Sequence, residues 1–377
     1  MKLSIDKSQL VSALQIITPI TDKSSSKPIL SNFLMEAKVG KGESEGVVEF
    51  SATDYEISLK GEFPAKVSEP GSVCISAKKV LEVCREFLSE EIVVSSDDQL
   101  WVTLEGGPSR LRLPSVDIGL YPQMQAPDLP NRFRMSAQEL RGCIDMTIFA
   151  TMTNETRKNL MGVCLKLMDG NAAQWIATDG HRLAQVIKSV EGVKFNGAPE
   201  VIVPRKALVE MQRVLERNEE GVEIAFDDRN LLLDAGKVLL MTRLIEGKFP
   251  NVDPVIPRDN DKSVRVNRER MINALKIVSF MSNEKIKPVK MSLEPSLLRL
   301  ESERAEYGDV ADELPVDYDG EELKIGFNAK YLLDVLSVAG QSELIEMKLK
   351  GSLNPCLIQL PEDSSFLSVV MPLRIEW

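Results

Sequence analysis

Along this chain the apolar positions change their period three times, at a similar offset each time. Leu3 and Ile5 alternate as in a strand, and Leu10, Leu14 and Ile17 follow at helical spacing. Phe133 and Met135 precede Leu140, Ile144 and Ile148 in the same way, and Val264 and Val266 precede Met271, Leu275 and Val278. These switches lie in Lys2 to Ile20, Arg132 to Ala150 and Ser263 to Met281. A second triplet follows about 60 to 70 residues further along each copy: Val73 to Leu88, Val201 to Leu215 and Lys324 to Val338. Each opens on a β-like pair (Val73 and Ile75, Ile202 and Val203, Ile325 and Phe327). Ser76, Pro204 and Asn328 then suit a helix cap or first turn.

Between and after these helices the pattern predicts short strands, among them Leu100 to Leu104, Val222 to Phe226, Leu231 to Leu233 and Leu297 to Leu300. Turn residues such as Asp227 to Asn230 separate them. Each copy therefore reads strand, helix, strands, then strand, helix, strands. Strands are segregated from a few helices, so the class is α+β. Pro/Asp/Asn-rich stretches near Pro127 to Pro130 and Pro257 to Asp261 predict three domains, 1–128, 129–258 and 259–377.

Composition adds limits. Apolar residues make up 43% and charged residues 27% of the 377, ordinary for a globular protein. No stretch predicts a membrane span, and the first residues carry no secretory signal, so the cytoplasm is the expected compartment. The five cysteines include no C-x-x-C pair and sit among apolar neighbours, which predicts reduced, buried thiols. The net charge of −11 argues against tight gripping of phosphates, yet not against loose encirclement of DNA. The six predicted helices sum to +4, leaving −15 for the remainder. Basic helices arranged around an anion and plain scatter over solvated faces both fit that difference.

Several motifs then resemble one family. They are Lys27-Pro28-Ile29-Leu30, Ala52-Thr53-Asp54, Ala177-Thr178-Asp179-Gly180-His181-Arg182-Leu183-Ala184, Val203-Pro204-Arg205-Lys206, Gly247-Lys248-Phe249-Pro250, Ser282-Asn283-Glu284-Lys285, Gly326-Phe327-Asn328 and Val369-Val370-Met371-Pro372. In this order and spacing, over the whole chain, they resemble the bacterial DNA polymerase III beta subunit, the sliding clamp. The resemblance implies a non-enzymatic processivity factor. Its fold would be three repeated DNA-clamp domains, with outer sheets and helices lining a ring. Two chains would form a head-to-tail homodimer around duplex DNA. The implied partners are the catalytic subunit of the replicative DNA polymerase, the clamp loader and other proteins bearing a clamp-binding motif. No cofactor or metal is implied.

The same resemblance implies site residues. A peptide-binding cleft would take Leu160, Thr178, Gly180, His181, Arg182, Leu183, Pro250 and Val255 on one side. Asn328, Tyr331, Val369, Val370, Met371, Pro372, Leu373 and Arg374 would form the other, with Arg182 and Arg374 holding carbonyls or an acidic residue at the rim. Sequence-independent DNA contacts would come from Lys23, Lys27, Lys79, Arg85, Asn154, Arg205, Lys206, Arg213 and Lys276. The dimer would pair edge strands, Ser109 to Leu113 against Leu298 to Glu306. Arg110, Leu111, Arg112 and Leu113 would face Phe280, Met281, Glu301, Glu303 and Glu306. Two departures from the family stand out: Ser24 occupies a position often basic, and Ile375-Glu376-Trp377 extends past Arg374.

Plainer readings stand beside these. His181 is the one histidine, and Asp179-Gly180 reads as a tight turn rather than an acid–base site. Val369-Val370-Met371-Pro372-Leu373 also reads as a last core strand, with Met371 and Leu373 filling the core. The rival classes are an enzyme using an interdomain cleft, with Asp227-Asp228 or Asp312-Glu313 as paired carboxylates, and a plain scaffold. Retention on circular but not linear DNA separates both from a clamp.

Overall fold

Helices form where the 3.6-residue spacing predicts them. Among the described residues they are α1 (Lys7–Ile17), α2 (Ala77–Glu86), α3 (Ala137–Ile148), α4 (Arg205–Leu215), α5 (Arg268–Ser279) and α6 (Ala329–Val338). The computed structural model describes every residue except 22–26, 41–45, 125–126, 155, 196–199, 281–286, 305–307, 341 and 376–377. Five starts carry a side-chain oxygen that accepts a first-turn N–H: Asp6, Ser76, Ser136, Asn267 and Asn328. Pro204 instead ends the strand Glu200–Pro204, and α4 begins one residue later. The predicted stripes point inward: Leu10, Leu14 and Ile17 on α1, Leu140, Ile144 and Ile148 on α3, and Met271, Leu275 and Val278 on α5 are buried. α2 stops short of Leu88 because Phe87 turns to an extended conformation and buries its ring, leaving Leu88 90% exposed.

The chain divides into two compact units: 1–141 with 191–198 and 206–244, and 142–190 with 199–205 and 245–377. The cuts fall inside α3 and at the start of α4, so the middle repeat is split in half. The physical reason is sheet continuity. In the first unit, the long strand Ile57–Glu69 pairs antiparallel with Val238–Arg243, with Ile57 opposite Thr242 and Leu59 opposite Leu240. That pairing joins strands of the first and second repeats into one thirteen-stranded sheet, at one end of which lies Ser109–Pro114. In the second unit, Arg182–Ser189 pairs antiparallel with Asp363–Val370, with Arg182 opposite Val370 and Val186 opposite Phe366. This joins strands of the second and third repeats into an eight-stranded sheet.

The second unit also holds a four-stranded sheet, ordered Gly308–Pro315, Leu297–Arg304, Pro288–Glu294, Leu323–Asn328. This order corrects one expectation. The stretch Leu298 to Glu306 was to be an edge strand, but Leu297–Arg304 has a partner on each side and no spare ladder of backbone groups. The open edge belongs to Gly308–Pro315. Glu301 and Glu303 lie on the inner strand, while Met281 and Glu306 are outside the described residues.

The core follows the alternation of each strand, with Phe33, Phe50, Phe133, Phe226, Phe327 and Phe366 fully buried. All five cysteines are free and buried, as their apolar surroundings predict. Burial raises the Cys74 and Cys84 thiols to about 12, and pushes up Cys164 and Cys356 as well. No helix among the described residues is long and apolar enough to cross a membrane.

Candidate functional site: a turn, a tail and a buried arginine

The site in the second unit starts from the turn between the strands Ala172–Thr178 and Arg182–Ser189. The Thr178 hydroxyl donates to the Arg182 carbonyl (2.7 Å) and accepts from the Gly180 N–H (3.1 Å). Asp179 Oδ1 accepts from the N–H groups of His181 (2.9 Å) and Arg182 (3.1 Å). Gly180 sits at φ +89°, where only glycine is unstrained. The turn reading of Asp179-Gly180 is therefore right.

Arg182 ends the turn and is 8% exposed. Its Nε donates to Asp179 Oδ2 (3.1 Å), Nη1 to Asp334 Oδ2 (2.6 Å) and Nη2 to the Phe149 carbonyl (2.6 Å). The guanidinium lies over the rings of Tyr331 (4.6 Å) and Phe149 (5.3 Å). The His181 ring stacks on Tyr331 at 6.3 Å. This corrects the expected role of Arg182: a buried guanidinium committed to two carboxylates and a carbonyl is a structural tie, not a rim donor. Arg374, by contrast, is exposed.

The C-terminal tail crosses this turn. The Met371 N–H donates to the His181 carbonyl (2.9 Å), and the Leu373 N–H to the Gly326 carbonyl (2.8 Å). Gly326 permits that approach, since a Cβ there would lie 2.3 Å from Ile375 Cδ1 and 2.9 Å from the Leu373 carbonyl oxygen. Met371, Pro372 and Leu373 are half-buried, neither core nor free surface. The core-filling reading of this tail thus holds for Val369 and Val370, which are 1% and 0% exposed, and not for the residues after them.

Seven of the sixteen cleft residues fall into two groups. Leu160, Leu183 and Val369 share an apolar cluster with Cys164, Ile176, Ile202, Phe249 and Leu357. Met152, Ile245, Val252, Ile256 and Leu367 pack against its margin, and Val255 (43% exposed) and Pro250 are exposed. His181, Arg182, Asn328 and Tyr331 instead line a pocket of about 790 Å³. Asn154 and Arg205, expected among DNA contacts, line the same pocket, with Lys287, Lys330 and Asp334. Burial first, and then the charge of Arg182, hold Arg205 below its usual range, against the pull of Asp334. Sequence reasoning missed Phe149, Phe249 and Asp334. The usable signal for Asp334 was a lone carboxylate in the apolar run Leu332-Leu333-Asp334-Val335-Leu336.

The other expected DNA contacts are dispersed. Lys79, Arg85, Arg213 and Lys276 are exposed on α2, α4 and α5. Lys79 pairs with Glu82 (3.6 Å) and Arg213 with Glu210 (2.6 Å). Lys27 lies over the Tyr55 ring at 4.6 Å. Lys206 donates to Asp54 (2.6 Å); its burial opposes the charge, but Asp54 and Glu56 outweigh burial and raise its pKa. Arg205 donates to the Ile148 carbonyl and the Thr151 hydroxyl, tying down the end of α3. Lys23 is outside the described residues.

Comparison with known proteins agrees with this architecture. Profiles of the DNA polymerase III beta subunit match in chain order: the N-terminal domain over 1–125, the central domain over 134–251 and the C-terminal domain over 253–374. A beta sliding clamp of Caulobacter vibrioides is 34% identical over the full length of both chains. A sliding clamp of Bartonella birtlesii, solved bound to griselimycin, superposes with a TM-score of 0.92 at 31% identity, with full coverage of both chains. The beta subunit of Pseudomonas aeruginosa superposes with a TM-score of 0.90 at 29% identity, again with full coverage of both chains. The fold is thus three DNA-clamp domains in one α+β chain. The chain belongs to the DNA polymerase III beta subunit family, the sliding clamps, which are non-catalytic processivity factors.

Proposed function

We propose that two copies of this chain close head to tail into a ring of six similar domains through which duplex DNA passes. The domains are 1–128, 129–258 and 259–377, and the ring works in the cytoplasm. The observation that carries this reading is the pair of strand edges left over by the repeat. The first repeat gives its long strand Ile57–Glu69 to the second, and the second gives Arg182–Ser189 to the third. The corresponding strand of the third is Gly308–Pro315, whose outer edge is open. The strand of the first repeat that corresponds to the receiving strands Val238–Arg243 and Asp363–Val370 is Ser109–Pro114, also with one open edge. Pairing these two in trans repeats the same junction and removes both edges.

The charges on the edges are complementary. Arg110 and Arg112 are exposed on one, Asp309 and Glu313 on the other. Phe280, at the end of α5, is 81% exposed, an apolar anchor for the half-exposed Leu111 and Leu113. Glu301 and Glu303 drop out of the backbone pairing. A closed ring needs no tight grip, so an acidic chain holds DNA by topology. Weak, salt-dependent contacts from Lys79, Arg85, Arg213 and Lys276 favour sliding.

The cleft holds the partners. Its apolar floor at Leu160, Leu183 and Val369, with the half-buried Met371, Pro372 and Leu373 following Val369 and Val370 in the chain, suits one or two apolar anchors of a short linear motif. Such motifs would come from the catalytic subunit of the replicative polymerase, the clamp loader and other partners. The test of the ring is retention. After loading, the protein should stay on nicked circular DNA through gel filtration and leave the same DNA once it is linearised. Equal loss from both overturns the ring. For the cleft, Met371→Ala with Leu373→Ala should weaken binding of the polymerase motif by about 2 kcal/mol or more while the dimer mass is kept. Unchanged affinity, or loss of folding together with binding, removes the case for the site.

A further inference from the structure

The chain builds the cleft turn twice, and the difference between the copies singles out one side chain. In the first repeat, Thr53-Asp54-Tyr55-Glu56-Ile57 makes every backbone contact of Thr178-Asp179-Gly180-His181-Arg182. The Thr53 hydroxyl donates to the Ile57 carbonyl (3.0 Å) and accepts from the Tyr55 N–H (3.1 Å). Asp54 Oδ1 accepts from the N–H groups of Glu56 (2.9 Å) and Ile57 (2.7 Å). Tyr55 takes the left-handed φ, +73°, that Gly180 takes in the second copy. Both turns sit beside a junction where the next repeat's strand pairs. The fold of the turn therefore needs no arginine at its last position, since Ile57 occupies it in the first copy.

The second copy adds Arg182 there and buries it. It also adds Asp334 to receive Nη1, from the helix α6 of the following repeat. At the corresponding place on α4 stands Glu210, which turns back to Arg213 of its own helix (2.6 Å). Asp54 is met instead by Lys206. So both junctions tie the turn to the next repeat's helix by an ion pair; they differ in that the first ties Asp54 to the exposed Lys206, while the second also ties the turn's last residue, Arg182, to Asp334 with neither partner exposed. In both copies the carbonyl before that last residue takes an N–H from the next repeat's strand, Glu56 from Arg243 (2.9 Å) and His181 from Met371 (2.9 Å), and in the second copy Met371 begins the tail.

We propose that Asp334 is a positioning residue for the partner cleft. Through Arg182 it fixes the His181 carbonyl, and through that carbonyl it sets the position of Met371 and of the tail that follows it. A buried guanidinium deprived of one carboxylate seeks water or another acceptor, and the turn that ends in it moves with it. Lys330, which also reaches Asp334 (3.0 Å), steadies the carboxylate from the solvent side. The inference rests on the cleft reading above.

The test uses the full chain and a fluorescent peptide carrying the clamp-binding motif of the cognate replicative polymerase's catalytic subunit. D334N removes the charge and keeps the shape, and should weaken peptide binding about ten-fold at a temperature where it is fully folded. D334E should recover most of that loss. E210Q, the matching change in the first junction, should leave binding at the parent value. Hydrogen exchange gives the readout that a general loss of stability would not: in D334N the amides of His181 and Met371 should exchange faster while those of Glu56 and Ile57 do not. Peptide binding by D334N at the parent affinity, or faster exchange spread evenly over both turns, overturns the proposal. If D334N does not fold, the D334E exchange pattern decides by the same comparison. Met371→Ala with Leu373→Ala serves as the reference. If that variant binds normally, the cleft reading fails; if it loses the peptide while D334N keeps it, only the role of Asp334 fails.

Discussion

Among the described residues, buried charge is not left alone. Arg182 has two carboxylates, and Glu49, 2% exposed inside the first unit, has two lysines. Lys38 lies 2.6 Å and Lys60 2.9 Å from its oxygens. Burial works against the Glu49 carboxylate, but the two lysines outweigh it, and its pKa falls below the usual value. A carboxyl whose folded pKa is depressed stabilises the protein above its unfolded pKa, and that stabilisation is lost as the pH falls through the folded value. Glu49→Gln should therefore cost about 2 kcal/mol at neutral pH, less than a fully sealed pair because both lysines reach solvent. The gap to the parent should narrow as the pH drops below the carboxylate range. Urea midpoints from pH 7 to pH 3 measure this; a gap that stays constant with pH would show that the Glu49 charge contributes nothing. At this scale the sequence named the right residue types. It did not reveal which were buried, because burial depends on what packs over a face of the sheet and not on the strand itself: Glu49 is buried although Glu36 and Glu62 lie opposite it on the two adjacent strands.

Elements were the most legible level. Each helix was marked by a change from period 2 to period 3.6, five of the six start on a side-chain cap, and all six lie within the stretches that the change marked. Asn328 does more than cap. It is 3% exposed, and its Oδ1 accepts from Lys330 N–H (3.1 Å) and from Lys287 N–H (3.4 Å), joining the start of α6 to the strand beside it. Asn328→Ala should cost about 2 kcal/mol, above the usual 1 kcal/mol for a cap, because a second buried N–H loses its partner. Asn328→Asp should restore much of it, as seen by thermal unfolding. A cost no larger than that of Ser76→Ala, an exposed cap on α2, would mean that the second bond is worth nothing. What the pattern could not show was strand order. Leu297–Arg304 and Gly308–Pro315 both alternate, and only their pairing tells which one lies at an edge.

For the whole molecule, the open edges are the feature that most needs a partner. Arg110→Glu with Arg112→Glu should weaken self-association at least thirty-fold, about 2 kcal/mol, and so should Asp309→Lys with Glu313→Lys. The chain carrying all four changes should recover most of the loss, since opposite charges again face each other. Asp312 is left out because Arg270 holds it in a half-buried pair (2.7 Å), whereas the pairs of Arg110 with Glu105 (3.5 Å), Arg112 with Asp97 (3.2 Å) and Glu313 with Arg299 (3.8 Å) are exposed and easily exchanged. Sedimentation over a concentration series at low and moderate salt reads the result. Failure of the fourfold variant to recover would mean that the two edges do not meet.

By itself the sequence determined the repeat, the class and the helices, because periodicity and capping act over a few residues and are written locally. It also determined the family, through eight short motifs in order along the whole chain, and the three domain profiles match in the same order. Tertiary structure alone decided the work of Arg182. The residues that hold it, Phe149, Asp179, Tyr331 and Asp334, are spread over much of the chain and meet only because two repeats share a sheet. It also decided which acidic strand has a free edge, since an edge is defined by the neighbour a strand lacks, and no segment carries that information within itself.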